Sequence, residues 1–573
     1  MLGCNEIHEL VRSTDRFENL TYVDSPALGM LVSCTGTVHT KSGDVVLTIA
    51  FQDTFPYSKP IIQRLNQEGT QATPHINREG IVCYIDDNNY VVDFTNPFGI
   101  ISESIDRAIK ILEVDENQTQ QKDFVAEFNS FWQDYSSAMR CLSITTVKQR
   151  ISKITCCFTP KNSIIGNNKG EINEYLNRTG QNYIPGRLSW QSAIYIPLPN
   201  DTKINLPPPS KFWTKEQVWK FIKANISSWG VSKINQILCR DRFQPLIFNL
   251  PMEGKDNIHF GIYFEKNKDA LKAAPLIIER LDKEFAFPRA GAKSSIHEKK
   301  VLVIGCGAIG GYIAMNLSQL GVGNLTLIDS QEYSTSNVHR HVLGAKEEIF
   351  YSKVEGLKKE IEGKFIHTSV NAISATVENC IRKKKKIFEN TDLIVVATGN
   401  PSSNFWMNNF LLQNRPNLPT LYSWLDPYGI GGHTLVTNNN HKKGCYQCLY
   451  KSDPKLGMYN MASFAMKGQS FLKTQSGCAG LFVPYSTLDA QRTSLQTVRV
   501  AIRLLEGNEK GNPLISWKGD KADFVSNGFQ LSTRYNQNKE ELWKRRNQYP
   551  NPKCSVCGDQ VKGLYLGALK EVG

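Results

Sequence analysis

VLVIGCGAIGGYIAMNLSQLGVGNLTLID, residues Val301 to Asp329, decides the fold of the C-terminal half of this chain. Four apolar residues, Val301 to Ile304, read as a buried parallel strand. Gly305, Gly307 and Gly310 follow as a G-x-G-x-x-G turn, and Ala308 to Leu320 carries the apolar period of a helix packed on a sheet. Leu325 to Ile328 reads as a second strand that ends in Asp329. Together these form a nucleotide-binding βαβ unit: glycines admit phosphate to the backbone N–H groups of a helix N-terminus, and the acid accepts ribose hydroxyls. On those residues alone, an oxidoreductase is the default expectation.

The next segment changes it. Asn337 and Arg340 follow Asp329 in a D-x7-N-x-x-R spacing, and Lys353 lies 24 residues beyond Asp329. Hydride transfer develops no charge on phosphates and needs no such cations. Attack on an α-phosphate does need them, because pyrophosphate leaves carrying negative charge. The block resembles the ubiquitin-activating, MoeB and ThiF superfamily. That resemblance implies ATP-dependent adenylation, with Asp329 on the ribose, Asn337 orienting the nucleotide, and Arg340 and Lys353 on the phosphates. It also implies Mg2+ held by an Asp after a later strand. DLIVVAT, Asp392 to Thr398, reads as that strand, but Gly399 and Asn400 follow it, and no magnesium ligand is named.

Composition frames the rest. The 573 residues suggest three to four domains, and 40% hydrophobic with 21% charged is ordinary for a globular protein. No apolar run is long enough to span a membrane, and MLGCNEIHEL lacks the basic and apolar regions of a signal peptide, so a cytoplasmic protein is expected. The 14 cysteines then point to metal or catalysis rather than disulfides. The net charge of +13 is scattered; its densest run, Arg382 to Lys386, reads as a solvated helix end, and nucleic acid is not the expected partner.

Residues 1–140 read as a small α+β domain: a meander from Leu31 to Phe51, a segment from Phe55 to Ile62 whose two prolines exclude a central strand, and a helix from about Glu103 to Tyr135. With His75-Ile76-Asn77 ahead of Cys83, this order resembles ubiquitin-conjugating enzymes. The resemblance implies Cys83 as an acyl-carrying nucleophile and Asn77 as an oxyanion donor, although Ile76 stands where the family has Pro. Residues 141–290, with a helix-like Thr214 to Ile226 and a strand-rich Gln244 to Phe264, form a linking domain with no catalytic constellation. Residues 291–573 are the doubly wound, Rossmann-like adenylation domain, in which Lys346 to Lys364 is expected as one helix and Thr487 to Leu505 as another.

Cys445-x-x-Cys448 and Cys554-x-x-Cys557 are paired thiolate turns that favour a closed, tetrahedral structural Zn2+ site. Cys306 and Cys380 read as packing residues. Cys478, set among Gly477, Ala479 and Gly480, lies where a ubiquitin-activating enzyme of this layout carries its thioester cysteine.

The whole order resembles the bacterial fusions of CBASS antiphage operons known as Cap proteins. It implies a relay from acyl-adenylate to Cys478, to Cys83, to the free amine of a target protein. The implied carboxylate donor is a cGAS/DncV-like nucleotidyltransferase, and the implied assembly is a homodimer through the adenylation domain. A ubiquitin-like modifier as donor, a sulfur-carrier adenylyltransferase and a binding-only scaffold remain alternatives.

Overall fold

The computed structural model describes residues 2–41, 43–65, 75–77, 79–85, 90–113, 128, 132–133, 139–181, 188–202, 204, 212–238, 245–252, 257–267, 270–346, 349–383, 385–439, 443–474 and 481–559. The chain is mixed α/β and divides into two compact units, Met1–Asn173 with Tyr183–Phe285, and Glu174–Asn182 with Ala286–Gly573.

The first unit begins with α1 (Cys4–Arg12) and an antiparallel sheet of β1 (Glu18–Asp24), β2 (Met30–Thr40), β3 (Gly43–Gln52) and β4 (Ile61–Arg64), in that spatial order. β2 and β3 are the expected meander, with Thr40 opposite Gly43. β4 starts just after Pro60 and lies at the sheet edge, where a missing N–H is tolerated. Alternate residues Val32, Cys34, Leu47, Ile49 and Phe51 point into a core closed by Ile7 and Val11 of α1 and by Ile101 and Ile105 of α2 (Pro97–Leu112).

α2 departs from the expected helix at both ends. It starts earlier because Asn96 accepts the Gly99 N–H and Pro97 occupies the first turn. It also stops at Leu112, while Phe128 and Trp132 are buried in a different core beside Phe260 and Trp213. One continuous helix therefore does not run from Glu103 to Tyr135; much of that stretch lies outside the described residues.

Trp132 belongs to the core of a closed barrel built from β5 (Met139–Ser143), β6 (Ser152–Phe158), β7 (Ser163–Gly166), β8 (Ser189–Pro197), β9 (Leu246–Leu250), β10 (Ile258–Asn267) and β11 (Ala270–Arg280). The order β10-β11-β5-β7-β6-β8-β9 mixes parallel and antiparallel neighbours, and β9 pairing with β10 closes the ring. Closure removes the exposed sheet edges that an open sheet of this size would carry. The helix Lys215–Asn225 opens with a reciprocal cap between Thr214 and Gln217 and seals the barrel with Val218, Phe221 and Ile222.

The second unit is a seven-stranded sheet in the order β14-β13-β12-β15-β16-β17-β22. Its parallel strands are β12 (Lys300–Ile304), β13 (Asn324–Ile328), β14 (Ser369–Ile373), β15 (Leu393–Val396) and β16 (Thr420–Leu425), and β17 (Gly431–Thr437) turns antiparallel. Short pairs follow: β18 (Tyr450–Asp453) with β19 (Gly457–Asn460), and β20 (Lys473–Thr474) with β21 (Leu481–Phe482). β22 (Leu514–Lys518) completes the large sheet beside β17. The helices Gly310–Gln319 and Thr487–Leu505 cover one face.

The chain order reverses on either side of β12, which has β13 on one side and β15 on the other. A doubly wound sheet opens its ligand crevice at the carboxyl ends of such strands. Among the described residues, no helix is long and apolar enough to cross a membrane.

Candidate functional site: a nucleotide crevice, a thiol hairpin and a four-cysteine cluster

The crevice is built by the glycine turn after β12. Gly305 adopts φ +84°, and a Cβ there would stand 2.7 Å from the Ala397 carbonyl. A Cβ on Gly310 would stand 1.8 Å from the Gly305 carbonyl oxygen, so the helix start and the strand end pack backbone to backbone. Gly307 has open space on its Cβ side. Two of the three glycines therefore serve internal packing, and the third leaves the approach clear.

Asp329 lies across this turn. Its Oδ2 accepts the Cys306 N–H at 2.8 Å and its Oδ1 accepts the Gln331 N–H at 2.8 Å. Each oxygen keeps a lone pair for a ribose hydroxyl while the carboxylate is fixed by backbone. His341, which the sequence reading did not single out, locks the turn from below. The Leu343 N–H donates to its Nδ1, so its Nε2–H donates to the Cys306 carbonyl at 2.8 Å. Burial pushes the His341 pKa down, which keeps this tautomer neutral. The signal available was its place immediately after Arg340.

Lys353 is 5% exposed and donates from Nζ to Gln331 Oε1 at 2.7 Å. Burial lowers its pKa; Asp329 opposes that shift and Arg340 adds to it, so Asp329, Arg340 and Lys353 share one electrostatic neighbourhood. The guanidinium of Arg340 has no ion-pair partner among the described residues. Asn337 is buried, and its Oδ1 accepts from the Ser334 N–H and Oγ at 3.1 Å, capping the short turn that carries Arg340.

The helix bearing Lys353 runs Lys353–Lys364, not from Lys346. Phe350 and Tyr351 instead pair with Tyr333, through Phe350 N–H to Tyr333 O at 2.8 Å and Tyr333 N–H to Tyr351 O at 2.7 Å. That pairing is what sets Lys353 against Gln331.

At the end of β15 the side chains present do not fit a magnesium site. Gly399 has no side chain, Asn400 Oδ1 caps the helix Pro401–Asn414, and Thr398 Oγ1 donates to Asn404.

In the first unit, Cys83 is exposed on a hairpin in which Ile76 bridges Val82 and the Cys83 N–H donates to His75 O at 2.6 Å. Asn77 Oδ1 accepts the N–H groups of Glu79 and Ile81, at 3.0 and 2.8 Å, and so ties the turn that presents Cys83. The amide oxygen of Asn77 is thus committed to structure.

Cys478 lies outside the described residues, between β20 and β21. Cys306 and Cys380 are buried at 0% and 3% exposure.

The four remaining cysteines converge. The Sγ atoms of Cys445, Cys448, Cys554 and Cys557 all lie within 4.8 Å of one another. Cys445 is 3.9 Å from Cys448 and 3.8 Å from Cys554, and Cys448 is 3.4 Å from Cys557. Thiolates about 2.3 Å from a tetrahedral ion stand roughly 3.8 Å apart, whereas disulfide sulfurs stand at about 2.05 Å. The Asn551 and Val556 N–H groups point at Cys448 and Cys554, each at 3.4 Å, the donor shell that thiolate ligands need. The cluster could hold a metal such as zinc.

Residues 281–513 match the ThiF family, and residues 28–141 match the Prokaryotic E2 family B. The chain joins a prokaryotic E2 domain to a ThiF adenylation domain. Similar proteins include the ATP-dependent ubiquitin transferase-like protein Cap2 of Pseudomonas aeruginosa, 22% identical over 72% of this chain and 76% of that protein. The Cap2 of Escherichia coli is 21% identical over 78% of this chain and 82% of its own length. An adenylyltransferase and sulfurtransferase UBA4 of Debaryomyces hansenii is 25% identical over 49% of this chain and 55% of its own.

The two domains make this fusion an adenylating and conjugating enzyme, and its chemistry is ATP-dependent ubiquitin-like conjugation. Adenylation by a ThiF domain implies ATP and Mg2+.

Proposed function

We propose that residues 291–573 of the fusion activate the C-terminal carboxylate of a protein, and that residues 1–140 pass it to an amine, with residues 141–290 linking the two. The observation that carries this reading is the presence in one chain of a nucleotide crevice whose Arg340 has no ion-pair partner among the described residues and of an exposed Cys83 on a hairpin within the E2-like region.

Asp329 holds the ribose of ATP, and Asn337 fixes the turn beside it. Arg340 and Lys353 neutralise the phosphates as a carboxylate oxygen bonds to the α-phosphorus and pyrophosphate departs. Cys478 then attacks the acyl carbon as thiolate, and AMP leaves. Cys83 takes the acyl group, which restores the Cys478 thiol. An amine attacks the Cys83 thioester, forms an amide and frees Cys83.

Cys445, Cys448, Cys554 and Cys557 hold Zn2+ in a closed structural role. The donor in this reading is a cGAS/DncV-like nucleotidyltransferase, as in the CBASS fusions that the chain resembles. The enzyme works as a cytoplasmic homodimer through its adenylation domain, on free amines of target proteins.

The test is a non-reducing gel with Mg-ATP and that nucleotidyltransferase, comparing wild type with Cys478→Ala and Cys83→Ala. The expected result is an ATP-dependent, thiol-sensitive adduct that is lost in Cys478→Ala and altered in Cys83→Ala. An adduct formed with a small ubiquitin-like protein instead would keep the relay and replace the donor. No adduct with either donor would leave a binding-only scaffold.

A further inference from the structure

The second unit carries a groove of about 450 Å³ between the helix Thr487–Leu505, β22 and the helix Lys539–Lys544, away from the glycine turn in sequence and in lining residues. Its walls hold Arg492, Lys539 and Arg546 together with Trp517 and Trp543, and an adjoining cavity that shares Arg492, Lys539 and both tryptophans adds Arg499 and Leu495. Among the described residues none of these four cations has a carboxylate partner, whereas the neighbouring Arg503 pairs with Glu509 at 2.7 Å. Asp489, one turn before Arg492, accepts the Ser486 N–H with Oδ2 at 3.2 Å at the helix start; Arg492 favours its charged form without reaching ion-pair distance.

Two guanidiniums are held ready. Arg492 Cζ sits 4.1 Å from the centroid of the Trp517 ring, and Trp517 is pinned by its own Nε1–H to Thr493 at 3.1 Å. Arg546 Cζ sits 4.1 Å from the centroid of the Trp543 ring. Arg546 also donates from Nη1 to the Trp543 carbonyl at 2.7 Å; a guanidinium held over an indole keeps its remaining N–H donors for a carboxylate and loses little further freedom on binding. Along the same helix, Leu488 and Leu495 are 70% and 51% exposed, alternating with Arg492 and Arg499 at helical spacing.

We propose that this groove docks an acidic amphipathic segment of the protein whose carboxylate the crevice activates; the identity of that partner rests on the function proposed above. The alternating Leu and Arg positions match a partner that presents carboxylates and apolar side chains together. A second copy of the same face would bring cations against cations. A polynucleotide would leave Leu488 and Leu495 without contacts.

The test reads binding without ATP, so a wrong assignment of the adenylation chemistry does not affect it. The probe is a fluorescein-labelled peptide of repeating Glu and Leu turns, measured by anisotropy on the full chain. Arg492→Glu with Arg499→Glu should weaken it about tenfold or more, Arg492→Lys should weaken it less, and Arg340→Ala should leave it unchanged. Unaltered melting of each variant checks the fold. Equal peptide affinity in the double variant would overturn the proposal. So would loss of peptide binding in Arg340→Ala alone, tight binding of single-stranded DNA but not of peptide, or conversion of a dimer to a monomer by the double variant in sedimentation.

Discussion

The nucleotide crevice and the Cys83 hairpin differ in how each is held. In the crevice, Asp329 and His341 are fixed by backbone groups and Lys353 by the Gln331 side chain, and Lys353 is almost out of solvent. On the hairpin, Cys83 is an exposed residue, and Asn77 braces the turn beneath it. Groups that must stabilise developing charge work best desolvated and preorganised. A thiol that must receive an acyl group carried by a whole protein needs access more than enclosure.

The largest test of that contrast is Cys83→Ala. It should abolish amide formation and leave ATP–pyrophosphate exchange at wild-type rate, since the crevice does not need the hairpin. Exchange that falls with it would break the separation. Next, Lys353→Ala should cut the rate of exchange by about 10²- to 10³-fold with the melting temperature little changed. A loss below threefold would show that the buried ammonium is not aimed at the phosphates.

Removal of the metal is third. Cys554→Ser, or chelation of the wild type, should lower the zinc content measured by mass spectrometry and destabilise the second unit by several kcal/mol; equal metal content would remove the ligand assignment. Asn77→Ala should cost about 1 kcal/mol in the first unit, by unfolding in urea, because two N–H groups lose their acceptor.

The smallest effect concerns pH. Burial lowers the Lys353 pKa, so its charge is present below that lowered value and lost above it. The alkaline limb of kcat/KM for exchange should therefore fall at a pH below that of an ordinary lysine, and Lys353→Arg should move the limb upward. A limb unmoved in Lys353→Arg would assign it to another group.

Local rules account for what could be read in advance. The turn after β12, the helix Thr487–Leu505 and the edge position of β4 follow from glycine spacing, a Ser486–Asp489 cap and a proline, all encoded within a few residues. The barrel was not legible, because β5 pairs in parallel with β11 and β7 and no turn chemistry announces such long-range partners. The helix at Lys353 starts late for a similar reason: residues 350–352 are claimed by pairing with residues 332–333. Within the candidate site, Asp329, Arg340 and Lys353 were recognisable by type and spacing. His341 and Gln331 were not, since their importance lies in a tautomer and a partner that only the folded backbone creates.

The four-cysteine cluster has one further consequence. Cys448 and Cys554 are separated by about a hundred residues of chain, so an ion joining the two knuckles turns that length into a ring. In a chain-entropy picture, closing a loop of that size denies the unfolded chain about 4 to 5 kcal/mol of freedom. Cys478 and the basic groove's helix both fall inside the ring by position in the chain. Loss of the ion would open the ring and return that freedom to the unfolded chain, which lowers the stability of the segment that carries both.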